Sequence, residues 1–187
     1  VQQLGRFKKE LNAFVKHTKS MPYAGKTPHI VLISPTAIEP LPGITDGKWQ
    51  NQNLKAYTVG MKEVASKNEI QFVDAFSPSL EWYKEGTPHS IDGALFNDHG
   101  YRKLASFLVD SIFTKSKANE SLRSRIHPLV MDKNFFWLND FKVPNGVHVY
   151  GRRYNPFGPQ NYPFEIEKTR EYTFNRDRKI WASLKNK

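Results

Sequence analysis

The chain has 187 residues, 39% of them hydrophobic and 13% aromatic, with no cysteine and a formal net charge of +10. That length suits one domain with a core of its own, and a chain without cysteine has no disulfides, thiolate zinc sites or cysteine nucleophiles. No apolar run approaches the roughly 18 residues of a membrane span, so a membrane-spanning role is not expected.

From the N-terminus, Leu4, Phe7, Leu11, Phe14 and Val15 recur at spacings of three and four, which predicts a helix over about residues 2–19. HIVLISP, residues 29–35, is a short β-branched run of the kind found in strands buried on both faces of a parallel sheet. A loop with Pro40, Pro42 and Gly43 leads to a second helix over about 51–67, striped by Leu54, Tyr57, Met61, Val64 and Ala65. IQFVDAF, residues 70–76, predicts another buried strand. After SIDGALFNDHGY (90–101) comes a third helix, with Tyr101, Leu104, Ala105, Leu108, Val109 and Ile112 inward and Asn97 or Asp98 placed to cap it.

Helix, strand, helix, strand, helix is the order of a layered α/β sheet. Open parallel sheets usually have about four to six strands with both faces covered, so two strands make half a domain. The expectation is therefore a partner for residues 1–116: the N-terminal half of the same domain, supplied by the same polypeptide or by another chain.

Residues 117–187 differ in kind. Phe135, Phe136, Trp137, Phe141, Tyr150, Tyr154, Phe157 and Tyr162 stand among glycines and prolines without a helical period. They read as an irregular, basic, aromatic-rich arm packing on the same domain, with 147–151 a short edge strand and a closing helix over about 175–184. The charge is concentrated here, at +8 for residues 113–187 against +2 for 1–112. Its basic residues are scattered, with no reading motif or dense stripe, so nucleic acid is not an expected partner.

Ligands of open α/β sheets gather beyond the carboxyl ends of the strands, which points to the loops after Ser34 and Asp74 and to residues 90–98. Asp92-Gly93 by itself reads first as a turn, the acid bonding backbone amides and the glycine taking positive φ. An acid at the end of a strand, such as Asp74, often just bonds the next turn. No histidine and carboxylate spacing in the chain suggests a metal site, and no cofactor motif is present.

HIVLISP, the Asn51, Leu54, Tyr57 helix, FVDAFSPSLEWY and IDGALFNDHGYRKLA together resemble the second half of an SGNH, or GDSL-type, ester hydrolase. Further along, KNFF, PNG, VYGRR, PFGPQNYP and RDRKIW are similar to the tail of an exported bacterial subgroup of Planctomycetes and Bacteroidetes. The resemblance implies a flavodoxin-like three-layer α/β/α fold, of which this chain holds the C-terminal half, and an extracytoplasmic location. It also implies hydrolysis of acyl esters, in many relatives acetyl groups on carbohydrate. The family's serine block and its glycine and asparagine oxyanion blocks would precede Val1, and neither GDS nor G-x-N-D occurs in the chain. Its last block, D-x-x-H, is matched by Asp92 as the acid, while Leu95 stands at the histidine position. Leucine cannot take a proton, so the implied activity is impaired or incomplete unless His99, four residues on, or His89, six before, supplies the base. The alternative is a degenerate domain kept as a binding or scaffolding module in a larger protein or complex.

Overall fold

The computed structural model describes residues 3–44, 46–113, 119–142, 146–149, 151–152 and 154–185. It is mostly helical, 68%, with a small two-stranded parallel sheet. The chain divides into two compact units, residues 1–116 and 117–187.

In the first unit the order is α1 (Leu4–Ser20), β1 (Val31–Ile33), α2 (Gly47–Lys67), β2 (Gln71–Val73), α3 (Phe76–Trp82) and α4 (Asp98–Ile112). The strands pair in parallel, Val31 opposite Gln71 and Ile33 opposite Val73, and the Ser34 amide extends the ladder to the Val73 carbonyl at 3.0 Å. Parallel pairing requires a crossover, which α2 supplies. The periodic stripe of α1 lies against α2: Phe7 meets Tyr57 edge-on at 4.9 Å, and Gly60 leaves just enough room for Leu4 and Lys8. Val15, Val64 and Ala65 are buried at this seam, whereas Phe14, expected inside, is 64% exposed.

Both strands are less enclosed than their composition predicts. Val73 is buried, but Val31, Leu32, Gln71 and Phe72 are half-buried and Ile33 is exposed. Among the described residues the sheet has two strands only, so each keeps one edge and part of a face without a neighbour. The same holds for α4, where Tyr101 and Val109, expected inward, are about half exposed.

A short helix, α3, was not foreseen. Its Ser79 is fully buried; the hydroxyl accepts the Ala37 amide at 2.8 Å and donates to the Phe76 carbonyl. Ser34, also buried, accepts the amides of Ala75 and Phe76. Two hydroxyls thus tie the loop after β1 to the start of α3, each satisfying backbone groups that burial would otherwise leave unpaired.

In the second unit the expected irregular arm is corrected. Residues 120–141 form α5 (Glu120–Phe141), the expected edge strand is instead α6 (Gly146–Val149) with Tyr150 outside the described residues, and α7 spans Tyr154–Lys185. Asn119 caps α5 by accepting the Leu122 amide. Antiparallel pairing is evident from the contacts, since Asp140 meets Arg170, Phe136 meets Tyr172, Lys133 meets Asp177 and Asp132 meets Arg176. The Arg176 guanidinium also lies 3.7 Å from the Phe136 ring centre, a cation–π contact. Helicity was hidden because apolar residues are spread around both helices and because Pro128, Pro159 and Pro163 stand inside them. The helices are held by this ladder of pairs across the hairpin, which no local period reports.

Gly100, in the first turn of α4, shows how tightly the first unit is closed. A Cβ there would lie 2.1 Å from the His89 carbonyl oxygen and 2.6 Å from the Phe96 ring. Alanine normally gains about 1 kcal/mol over glycine inside a helix, but here overpacking should reverse the sign. Gly100→Ala is expected to lower stability by about 1–3 kcal/mol, measured as a fall in the urea midpoint.

Candidate functional site

The loop that carries Asp92 is a tight excursion between β2–α3 and α4. Ser90 bridges to Phe96, the Ile91 amide donates to the Leu95 carbonyl at 2.8 Å, and the Asn97 amide donates to the His89 carbonyl at 2.9 Å. Asn97 also caps α4 through the Gly100 amide, as the sequence indicated, and its side-chain amide holds the Pro88 carbonyl.

What fixes this loop to the sheet is Glu39. Its carboxylate is 3% exposed and accepts the His89 amide at 2.9 Å, the Ser90 amide at 2.7 Å and the Ser90 hydroxyl. Its own amide donates to the Gly93 carbonyl at 2.8 Å. A buried carboxylate is tolerable only when its lone pairs are filled in this way. Gly93 has φ +88°, and a Cβ on it would press on the Glu39 carbonyl, Ile38 and Ile44. Glycine is required there both for the turn and for the close approach. Because Glu39 follows β1, the Asp92 loop sits on the connection leaving the carboxyl end of that strand, where open α/β sheets place their ligands.

Asp92 does not face a base. Its carboxylate turns back to accept the amides of Leu95 at 2.7 Å and Ala94 at 2.9 Å. These bonds, the Leu95 amide foremost, hold its carboxyl below the usual aspartate range. The Leu95 side chain is 51% exposed. His99 lies with its ring 4.6 Å from that of His89. Asp74 behaves as a turn residue, its carboxylate accepting the Ser77 amide and hydroxyl.

A cavity of about 640 Å³ adjoins the loop, with Ile38, Ile44, Phe76, Leu80 and Tyr83 in its wall and Lys48, Lys55 and Lys84 at its margin. Asn51, also in the wall, uses its amide group on both the amide and the carbonyl of Ile38. Tyr83 donates to the Ala37 carbonyl at 2.8 Å, and burial, reinforced by Glu39, pushes its phenol up to about 12. It therefore remains a donor at neutral pH. The cavity is apolar with a cationic rim and presents neither an activated nucleophile nor a histidine.

Sequence reasoning found Asp92, Leu95 and Asn97, named His89 and His99 only as stand-ins for the absent base, and missed Glu39. Glu39 has no local signal, because its partners are fifty residues away in the chain. Compared with known proteins, the chain matches no family model, no curated protein and no solved structure.

Two expectations follow. Glu39→Ala leaves two buried amides without an acceptor and should cost about 2–5 kcal/mol, while Glu39→Gln, which keeps one acceptor oxygen, should cost less; urea unfolding of both variants checks the order. The Asp92 contribution has the sign of a depressed carboxylate: it is present above the unfolded pKa and is lost as pH falls through the lower folded one. Carboxyl-carbon NMR titration should give Asp92 a midpoint below that of an unstructured aspartate, and Asp92→Asn should remove the corresponding acid-side loss of stability.

Proposed function

We propose that the chain forms the C-terminal part of an SGNH/GDSL-type ester-hydrolase domain whose own catalytic base has been lost, so that acyl-ester hydrolysis is impaired. The observation that carries this reading is the position of the Asp92 loop, tied through Glu39 to the carboxyl end of β1, together with an exposed leucine where the resemblance puts the histidine. The parallel pairing of β1 and β2 and their open edges support completion of a flavodoxin-like three-layer sheet by further strands. Those strands, with the serine and oxyanion blocks, would come from the N-terminal half of the domain. An acylated carbohydrate is the substrate class that the resemblance suggests, and the apolar cavity beside Gly93 is of a size to take an acyl group.

A second reading, a binding or scaffolding module that has kept the fold without the chemistry, is favoured by the site's inventory. Asp92 is closed on its own turn, Ser34 and Ser79 are committed to backbone groups, and the cavity rim offers lysines rather than a base.

The experiment joins the chain to the serine-bearing segment and measures hydrolysis of a generic acetyl ester by the native sequence and by Leu95→His. The reading expects little turnover from the native sequence and a gain of at least about tenfold from Leu95→His, since a positioned base contributes roughly 10²–10⁴. Strong native activity abolished by His99→Ala would mean a displaced base. Two inert proteins would leave the binding module as the function.

A further inference from the structure

Burial of a histidine normally comes with partners for its ring. Among the described residues, Thr58 Oγ1 and the two ring nitrogens of His89 are the buried side-chain polar atoms without a hydrogen bond. His89 is 0% exposed. Its Nδ1 is 3.8 Å from Glu39 and its Nε2 is 3.6 Å from Glu85 Oε2, both beyond hydrogen-bonding range. On the outer side stand Glu85, in the turn after α3, and His99, the second residue of α4. One ligand atom from each of Glu85, His89 and His99 lies within 4.8 Å of the others.

We propose that Glu85, His89 and His99 bind a divalent transition metal, of which zinc is the natural probe. Two imidazoles and one carboxylate select this class over magnesium or calcium, which prefer all-oxygen shells. Metal-to-nitrogen bonds of about 2.0–2.1 Å place neighbouring tetrahedral ligand atoms roughly 3.3 Å apart. Closing the triad therefore requires movement of an ångström or so, and the two residues that would move, Glu85 and His99, are exposed. His89 is already fixed, because its main chain is clamped by Glu39 and by Asn97. With Nε2 on the metal, Nδ1 is left 3.8 Å from the Glu39 carboxylate, so a small ring rotation would complete the acid-behind-histidine arrangement that orients a metal ligand. Three protein ligands leave a fourth position toward solvent, beside the shallow cavity formed by Trp82, His99, Lys103 and Phe107.

Lys103 is the competitor. It lies one turn beyond His99 on α4 and pairs with Glu85 through Oε1, which lowers the pKa of that carboxyl. Its ammonium supplies the positive charge a metal would bring, and it must give way or share Glu85 when the metal enters. Arg102, also at this cavity, adds to the same opposition.

The test is titration of the chelator-treated protein with Zn2+ by calorimetry and with Co2+ by visible absorption. Expected are one equivalent bound, a cobalt spectrum with nitrogen ligation, and weakening of about tenfold or more in His99→Ala and in Glu85→Gln. Lys103→Ala should tighten binding. His17→Ala, His29→Ala and His127→Ala should leave it unchanged. All of these side chains are exposed or partly exposed, and far-UV circular dichroism verifies each variant's fold. Failure of the native chain to bind either ion overturns the proposal. Unchanged affinity in His99→Ala overturns it as well, because the metal would then be held elsewhere.

Discussion

The first unit is organised around one buried carboxylate. Glu39 sits at the end of a proline-bounded loop leaving β1 and gathers two amides and a hydroxyl from His89 and Ser90. Without it, the approach to α4 would have buried donors facing a buried loop, and folding would leave them unsatisfied. With it, the Gly93 turn, the Asn97 cap and the close passage of Gly100 under the His89 carbonyl follow as geometric consequences. The same clamp holds the backbone of His89 and so places its ring between Glu39 and Glu85. Charge, turn chemistry and close packing therefore meet in a stretch of about a dozen residues.

Where local chemistry sufficed, the sequence was informative. The stripes of α1 and α2, the presence of β1, β2 and α4, the Asn97 cap and the local bonding of Asp74 all depend on residues within a few positions of one another. Features with distant partners were not legible. Glu39 is a lone acid among prolines, and nothing near it announces donors fifty residues on. The short α3 was obscured by Pro78, which a helix accepts in its first turn, where the missing amide has no intrahelical partner in any case. The arm was misread for a related reason. Phe136, Asp132, Lys133 and Asp140 find their partners on α7, thirty to forty-four residues later.

The candidate site was legible in part. The sequence pointed to the loop and to Asp92 and Leu95 within it, and the structure adds that Asp92 closes on its own turn. It could not indicate that Glu85, His89 and His99 converge. The spacing of Glu85 and His89 resembles one helical turn, but the segment between them is not helical, and His99 arrives from another element. Convergence of this kind is a product of the Glu39 clamp rather than of any motif.

Position 95 is held by its backbone. The Leu95 amide donates to Asp92 and its carbonyl accepts from Ile91, while half of the side chain lies in solvent. The folded state consequently places almost no demand on which residue stands there. Another side chain could stand at this spot at little cost in stability, so position 95 is restrained mainly by what the loop is required to do. The chemistry of the loop can thus change while its architecture is inherited intact.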